Sequence, residues 1–138
     1  MKKLLILLFL IPLLSFNSNQ SEISIIGKWQ GVDEARELGY MIFDNDGYAT
    51  IEIEGVVYGG KEFEINGKTG SMTYSINSDI EPVQIDLIMT IMDSINQMNM
   101  LFIAKFKDKN TMILASNFNS ERPFEFNSDN SITLIRIE

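Results

Sequence analysis

Four carboxylates, Glu52, Glu54, Glu62 and Glu64, form the densest chemistry-bearing group in the chain. Their i, i+2 spacing puts each pair on one side of an extended strand. If the strands flanking Tyr58-Gly59-Gly60 pair as a hairpin, Ile51, Ile53, Phe63 and Ile65 share its inner face and all four glutamates share the outer one. Like charges opposed on a sheet repel. A basic protein partner, a Ca²⁺ ion, or Lys105 and Lys107 on another outward face would relieve the repulsion, and a solvated acidic surface is the simplest outcome. Asp44-Asn45-Asp46-Gly47 has the lettering of a calcium loop. With Gly47 at the sixth loop position, however, Ile42 falls first and Ile53 twelfth, and neither can bind a cation. The segment reads as a hairpin turn, and no metal site is expected.

Catalytic options are narrow. The chain has no histidine and no cysteine, so the commonest general base and the thiolate nucleophile are both missing. A hydrolase would need a carboxylate pair, a Ser–Lys arrangement or a metal held by oxygen alone. Glu52 and Glu54 sit on the expected outer face, a poor place to shift a pKa. There is no glycine-rich phosphate loop and no dinucleotide fingerprint. The expectation is a non-enzyme without a cofactor. A net charge of −8, with no basic patch interleaved with aromatics, argues against nucleic acid as a partner.

The elements that must position these residues read as strands. At 138 residues the chain has the length of one domain. Met1-Lys2-Lys3 precedes an apolar run over 4–14 that only Pro12 interrupts, which reads as a secretory signal peptide over 1–18, cut somewhere between 15 and 21. The run is too short for a membrane span, which takes about 20 apolar residues. Without cysteine there is no lipid anchor of the N-terminal thioether kind, so the expected product is periplasmic or extracellular, not a lipoprotein, with residues 19–138 as its domain.

From residue 23 onward hydrophobicity alternates with a period of two. Met72, Tyr74 and Ile76 share one face, as do Val83, Ile85, Leu87, Met89 and Ile91, then Phe102, Ala104 and Phe106. Phe124 and Phe126 flank Glu125, and Ile132, Leu134 and Arg136 share a face in the last strand. Turn residues punctuate these runs at 44–47, 58–60, 66–67, 108–110 and 127–130. A short helix is expected over 34–38, with Asp33 as cap and Gly39 as stop. Eight to ten antiparallel strands with meander spacing predict an all-β, up-and-down barrel, because closure removes exposed edges.

Three stretches in order carry a family resemblance: Gly27-Lys28-Trp29; Gly70-Ser71-Met72-Thr73-Tyr74 followed by Glu81-Pro82-Val83-Gln84-Ile85-Asp86-Leu87; and Glu121-Arg122-Pro123-Phe124-Glu125-Phe126 leading to Leu134-Ile135-Arg136. Together they resemble the lipocalin-like domains of uncharacterised secreted bacterial proteins. The resemblance implies a closed or nearly closed barrel with a possible internal ligand cavity, and no catalytic residues. It also implies that an arginine of the last strand, Arg136, covers Trp29 as a structural closure, with Arg122 as the alternative cover.

The leading expectation is therefore a small apolar ligand, such as a lipid, inside the barrel. Its lining candidates are Phe43, Ile53, Phe63, Met72, Tyr74, Leu87, Met89, Phe102 and Phe106. Met92, Ile95, Met98 and Met100 would make a soft rim at the cavity mouth. The rival expectation is a protein interaction module, an exported inhibitor or envelope assembly partner, that meets a basic protein through Glu52, Glu54, Glu62 and Glu64.

Overall fold

The computed structural model describes residues 23–33, 36–95, 97–117 and 119–138. The expected leader and its cleavage region lie outside the described residues. Ten strands and no helix make up what is described: β1 (Gly27–Asp33), β2 (Arg36–Phe43), β3 (Ala49–Ile53), β4 (Val56–Gly59), β5 (Phe63–Ile65), β6 (Lys68–Asn77), β7 (Val83–Ile91), β8 (Gln97–Asp108), β9 (Thr111–Ser116) and β10 (Ser131–Arg136).

All neighbours are antiparallel, in the order β4-β3-β2-β1-β10-β9-β8-β7-β6-β5. The first strand lies in the middle of the sheet, and the last strand returns beside it, with Trp29 opposite Arg136. The sheet curls into a nearly closed up-and-down barrel. Closure is made at one place. Tyr48 bridges Thr73, the Met72 N–H donates to the Gly60 carbonyl at 2.9 Å, and the Tyr74 N–H donates to the Gly47 carbonyl at 3.0 Å. The two edge strands are only four and three residues long, so little backbone is left unpaired.

Short polar turns set the register. Asp44 Oδ1 accepts from the backbone N–H groups of Asp46 at 2.9 Å and Tyr48 at 2.8 Å, making 44–47 the hairpin turn its letters suggest. Glu54-Gly55 and Asn66-Gly67 have positive φ at both positions (52° and 79°, 50° and 75°), the two-residue turn whose twist matches its flanking strands. Asp108 Oδ1 caps the β8–β9 turn by accepting from Asn110 N–H at 2.8 Å.

Three local expectations are corrected. Arg36, Glu37 and Leu38 do not start a helix; they lie opposite Asp33, Val32 and Gly31 in the β1–β2 ladder. A helix of one turn cannot offset its own nucleation cost, and pairing with β1 wins. Tyr58-Gly59-Gly60 is not a hairpin turn. The chain reverses earlier, at Glu54-Gly55, so β3 pairs with β4 (Glu52 opposite Val57) while β5 pairs with β6. Phe124 and Phe126 do not belong to a strand; they lie in residues 119–130, part of the connection between β9 and β10.

That connection covers the outer wall. Ile103 and Ala115 face each other across β8 and β9, outside the barrel core, yet they are 2% and 0% exposed. Ile103 lines a shallow cleft with Arg122 and Pro123. Arg122 fixes the connection there, donating to Asp86 Oδ1 at 2.7 Å and to the Phe102 carbonyl at 2.9 Å. An ion pair this exposed contributes at most about 1 kcal/mol, so the covered apolar surface carries more of the attachment.

Gly59 shows how tightly the seam is packed. Its φ is +97°, and a β-carbon there would stand 2.5 Å from the Ala49 carbonyl oxygen. Gly59→Ala should therefore cost about 1–3 kcal/mol in urea unfolding. Gly67→Asn, with no atom within 4 Å and a residue type that tolerates the left-handed backbone, should cost under about 1 kcal/mol. Equal losses at both positions would contradict the closure at Gly59.

Candidate functional site

The site begins with one tryptophan. Trp29 is fully buried, and its indole N–H donates to the Ile25 carbonyl at 2.8 Å. The Arg136 guanidinium lies 4.3 Å over the ring centroid. Its remaining donors reach the carbonyls of Lys109 (3.0 Å), Ile26 and Ser24. One planar cation therefore joins β10, the β8–β9 turn and residues 24–26 that precede β1. Those residues act as a strap across the barrel end where β1 starts, and Ile25 sinks into the core at 5% exposure. Arg122 has no part in this closure; it is the residue that fixes the outer connection.

The interior is mostly core. Phe43, Met72, Leu87, Met89 and Phe102 are buried in one cluster with Trp29, Met112, Leu114 and Leu134, and Phe63 packs half-buried against it. Ile53 is 53% exposed at the end of β3, because the early turn at Glu54-Gly55 lifts it past the wall. Of the nine expected lining residues, Tyr74 and Phe106 line a cleft.

That space is a half-open cleft of about 990 Å³ under the strap. Ile23, Ile25 and Ile26 form one side. Tyr74 and Ile76 of β6, Val83 of β7, and Ala104 and Phe106 of β8 form the other. Ser24, Ser78, Glu81, Lys105 and Lys109 complete the lining. Phe106 also leans on Trp29, with ring centroids 6.2 Å apart. Alternation along β6, β7 and β8 signalled the apolar wall. The strap has no periodicity of its own, so only tertiary structure reveals the second side.

Tyr74 is the polar hinge of the wall. Its hydroxyl donates to the Asp44 carbonyl at 2.7 Å, and its ring meets Phe43 edge-on at 5.0 Å. Burial first, and the Asp44 charge second, push the phenol above its ordinary value of 10.0.

The acidic group does not assemble as expected. Glu52 lies on β3, Glu54 in the following turn, Glu62 before β5 and Glu64 on β5, a strand that pairs with β6 and not with β3. Among the described residues no three acidic side chains converge to hold a metal ion. The hairpin that would have presented an acidic face to a basic partner is absent. Met92 and Met98 are exposed, Ile95 is 99% exposed, and Met100 is half-buried against the core. They sit at the β7–β8 end, while the cleft uses the opposite ends of these strands.

The fold defines an all-β, ten-stranded up-and-down barrel with a strapped end. Comparison with known protein families, with curated proteins and with solved structures finds no match to this chain.

Arg136→Gln should remove the ring contact and most of the strap's anchors, lowering stability by about 2–3 kcal/mol and red-shifting the emission of the single tryptophan. Arg136→Lys should restore little, since a point cation cannot reach three carbonyls. An unshifted emission spectrum in Arg136→Gln would contradict the strap. For Tyr74, the raised folded value means the phenol's stabilising contribution is whole below its unfolded value and is lost as pH rises through the folded one. Ultraviolet titration should show a phenol ionising above pH 10.0 that disappears in Tyr74→Phe.

Proposed function

We propose that this chain is an exported, non-enzymatic binding protein that holds a small apolar ligand in the strapped cleft, a role akin to that of lipocalin-like domains. The observation that carries the proposal is the cleft itself. Its volume of about 990 Å³ is of the size that encloses small molecules, which runs to about 1,000 Å³. The strap presents branched aliphatic carbon, and the strand wall presents aliphatic and aromatic carbon. An apolar ligand entering it releases water from both sides, worth roughly 25 cal/mol per Å² of apolar surface covered. The strap forms one side of the cleft, and Trp29 and Arg136 hold Ser24, Ile25 and Ile26 in place there.

Dodecanol tests the reading, since it is apolar and uncharged. Phe106 lies between the cleft and Trp29, so titration should change tryptophan emission and give a saturable isotherm by calorimetry. Ile76 lines the cleft but is 38% exposed. Ile76→Glu should leave stability within about 0.5 kcal/mol of the parent and weaken dodecanol at least about tenfold by placing a charge against the chain. No binding, or equal binding by the variant, would overturn the proposal.

A further inference from the structure

We propose that two copies of this chain pair through the free edge of β4, in a two-fold antiparallel dimer centred on Val57. The surface is independent of the cleft, none of whose lining belongs to β3 or β4. β4 ends the sheet, and Val56, Val57 and Tyr58 are all exposed. The phase of the β3–β4 ladder decides which backbone groups are free. The Gly60 N–H donates to the Ala49 carbonyl at 2.7 Å. Bonded and non-bonded positions alternate along an antiparallel pair, so Tyr58 and Val56 also turn their backbone groups toward β3. Val57 turns its N–H and carbonyl outward, and among the described residues neither has a partner. A residue with both groups free on one edge can pair with itself. About a two-fold axis, the N–H of each Val57 meets the carbonyl of the other.

The side chains suit that register. Val56 falls opposite Tyr58 of the second copy, on the face that Ile51 and Ile53 share, and Val57 falls opposite Val57 on the other face. β-Branched and aromatic residues are good cross-strand partners. Charge points the same way. The run over 55–60 carries no charge and is bounded by Glu54 and Lys61, both exposed. Antiparallel pairing brings the start of one run to the end of the other, so each Glu54 approaches Lys61 of the second copy. Glu52 lies one strand further in, opposite Val57. Its two copies stand three strand spacings apart, about 14 Å, beyond the screening length of about 8 Å at physiological salt. β5, the other edge, is built in the opposite sense. Its middle residue is Glu64, with Glu62 just before the strand, and the same pairing there would set Glu64 against Glu64.

An edge of three residues buries little surface, so the dimer is a weak one. Sedimentation equilibrium of the purified protein at physiological salt tests it. The protein should be monomeric at about 5 µM and largely dimeric at about 500 µM, as a small interface allows. Val57→Lys sets two ammonium groups face to face on the axis. It should weaken self-association at least about tenfold while keeping the parent's far-ultraviolet circular dichroism, which shows that the barrel is intact. Lys61→Glu should weaken the dimer about threefold, and Glu54→Lys combined with Lys61→Glu should restore it. A parent that stays monomeric at the higher concentration would overturn the proposal. Self-association that Val57→Lys leaves unchanged would place the contact on another face and overturn it too. Species larger than a dimer would do the same, because a two-fold contact closes on itself. A charge swap that restores nothing would overturn the register centred on Val57.

Discussion

The contact between Arg136 and Trp29 is the constraint on which the rest of the molecule depends. A barrel of this size tends to fill its own interior with side chains, and here Phe43, Met72, Leu87, Met89 and Phe102 do so. Open space therefore has to be made at an end. Arg136 makes it by holding three carbonyls at once, two of them on residues 24–26, while its flat face covers the indole. Trp29 holds the strap from inside, through its N–H to Ile25. The same pair closes the first strand onto the last, so the β1–β10 seam and the strapped end are one structure.

Two further devices protect that arrangement. The seam between β3 and β6 depends on close backbone approach at Gly59 and Gly60, and Tyr74 ties the β2–β3 turn to the cleft wall through Asp44. On the far wall, the connection over 119–130 lies against Ile103, with Arg122 and Asp86 setting its position. The exposed β7–β8 end, by contrast, has no such cover: Met92, Ile95 and Met98 face outward.

The alternation of apolar residues made the barrel legible, because period two leaves one face for each strand and turn residues mark where strands end. Trp29 and Arg136 were legible as a pair through their motifs at the two ends of the domain. The acidic hairpin does not form for one reason. Alternation places Glu54 in a strand, whereas Glu54-Gly55 adopts the left-handed turn, and moving the reversal by a few residues changes which strands are neighbours. Residues 34 and 35 of the expected helix lie outside the described residues; Arg36, Glu37 and Leu38 are strand because capping letters are local and the ladder with β1 is not. The cleft was half legible. Tyr74 and Phe106 stood among the lining candidates, but the strap carries no pattern, and burial of an alternating face cannot distinguish a filled core from a hollow one.

The central claim is that ligand enters between the strap and the ends of β6, β7 and β8. Amide chemical-shift mapping of the isotopically labelled protein during titration with dodecanol tests it most directly. The account predicts perturbations concentrated at Ile25, Ile26, Tyr74, Ile76, Val83, Ala104 and Phe106, with Leu87 and Met100 little changed. Perturbations centred instead on Ile53, Met92, Met98 and Met100 would place the ligand at the opposite end of the barrel and contradict it.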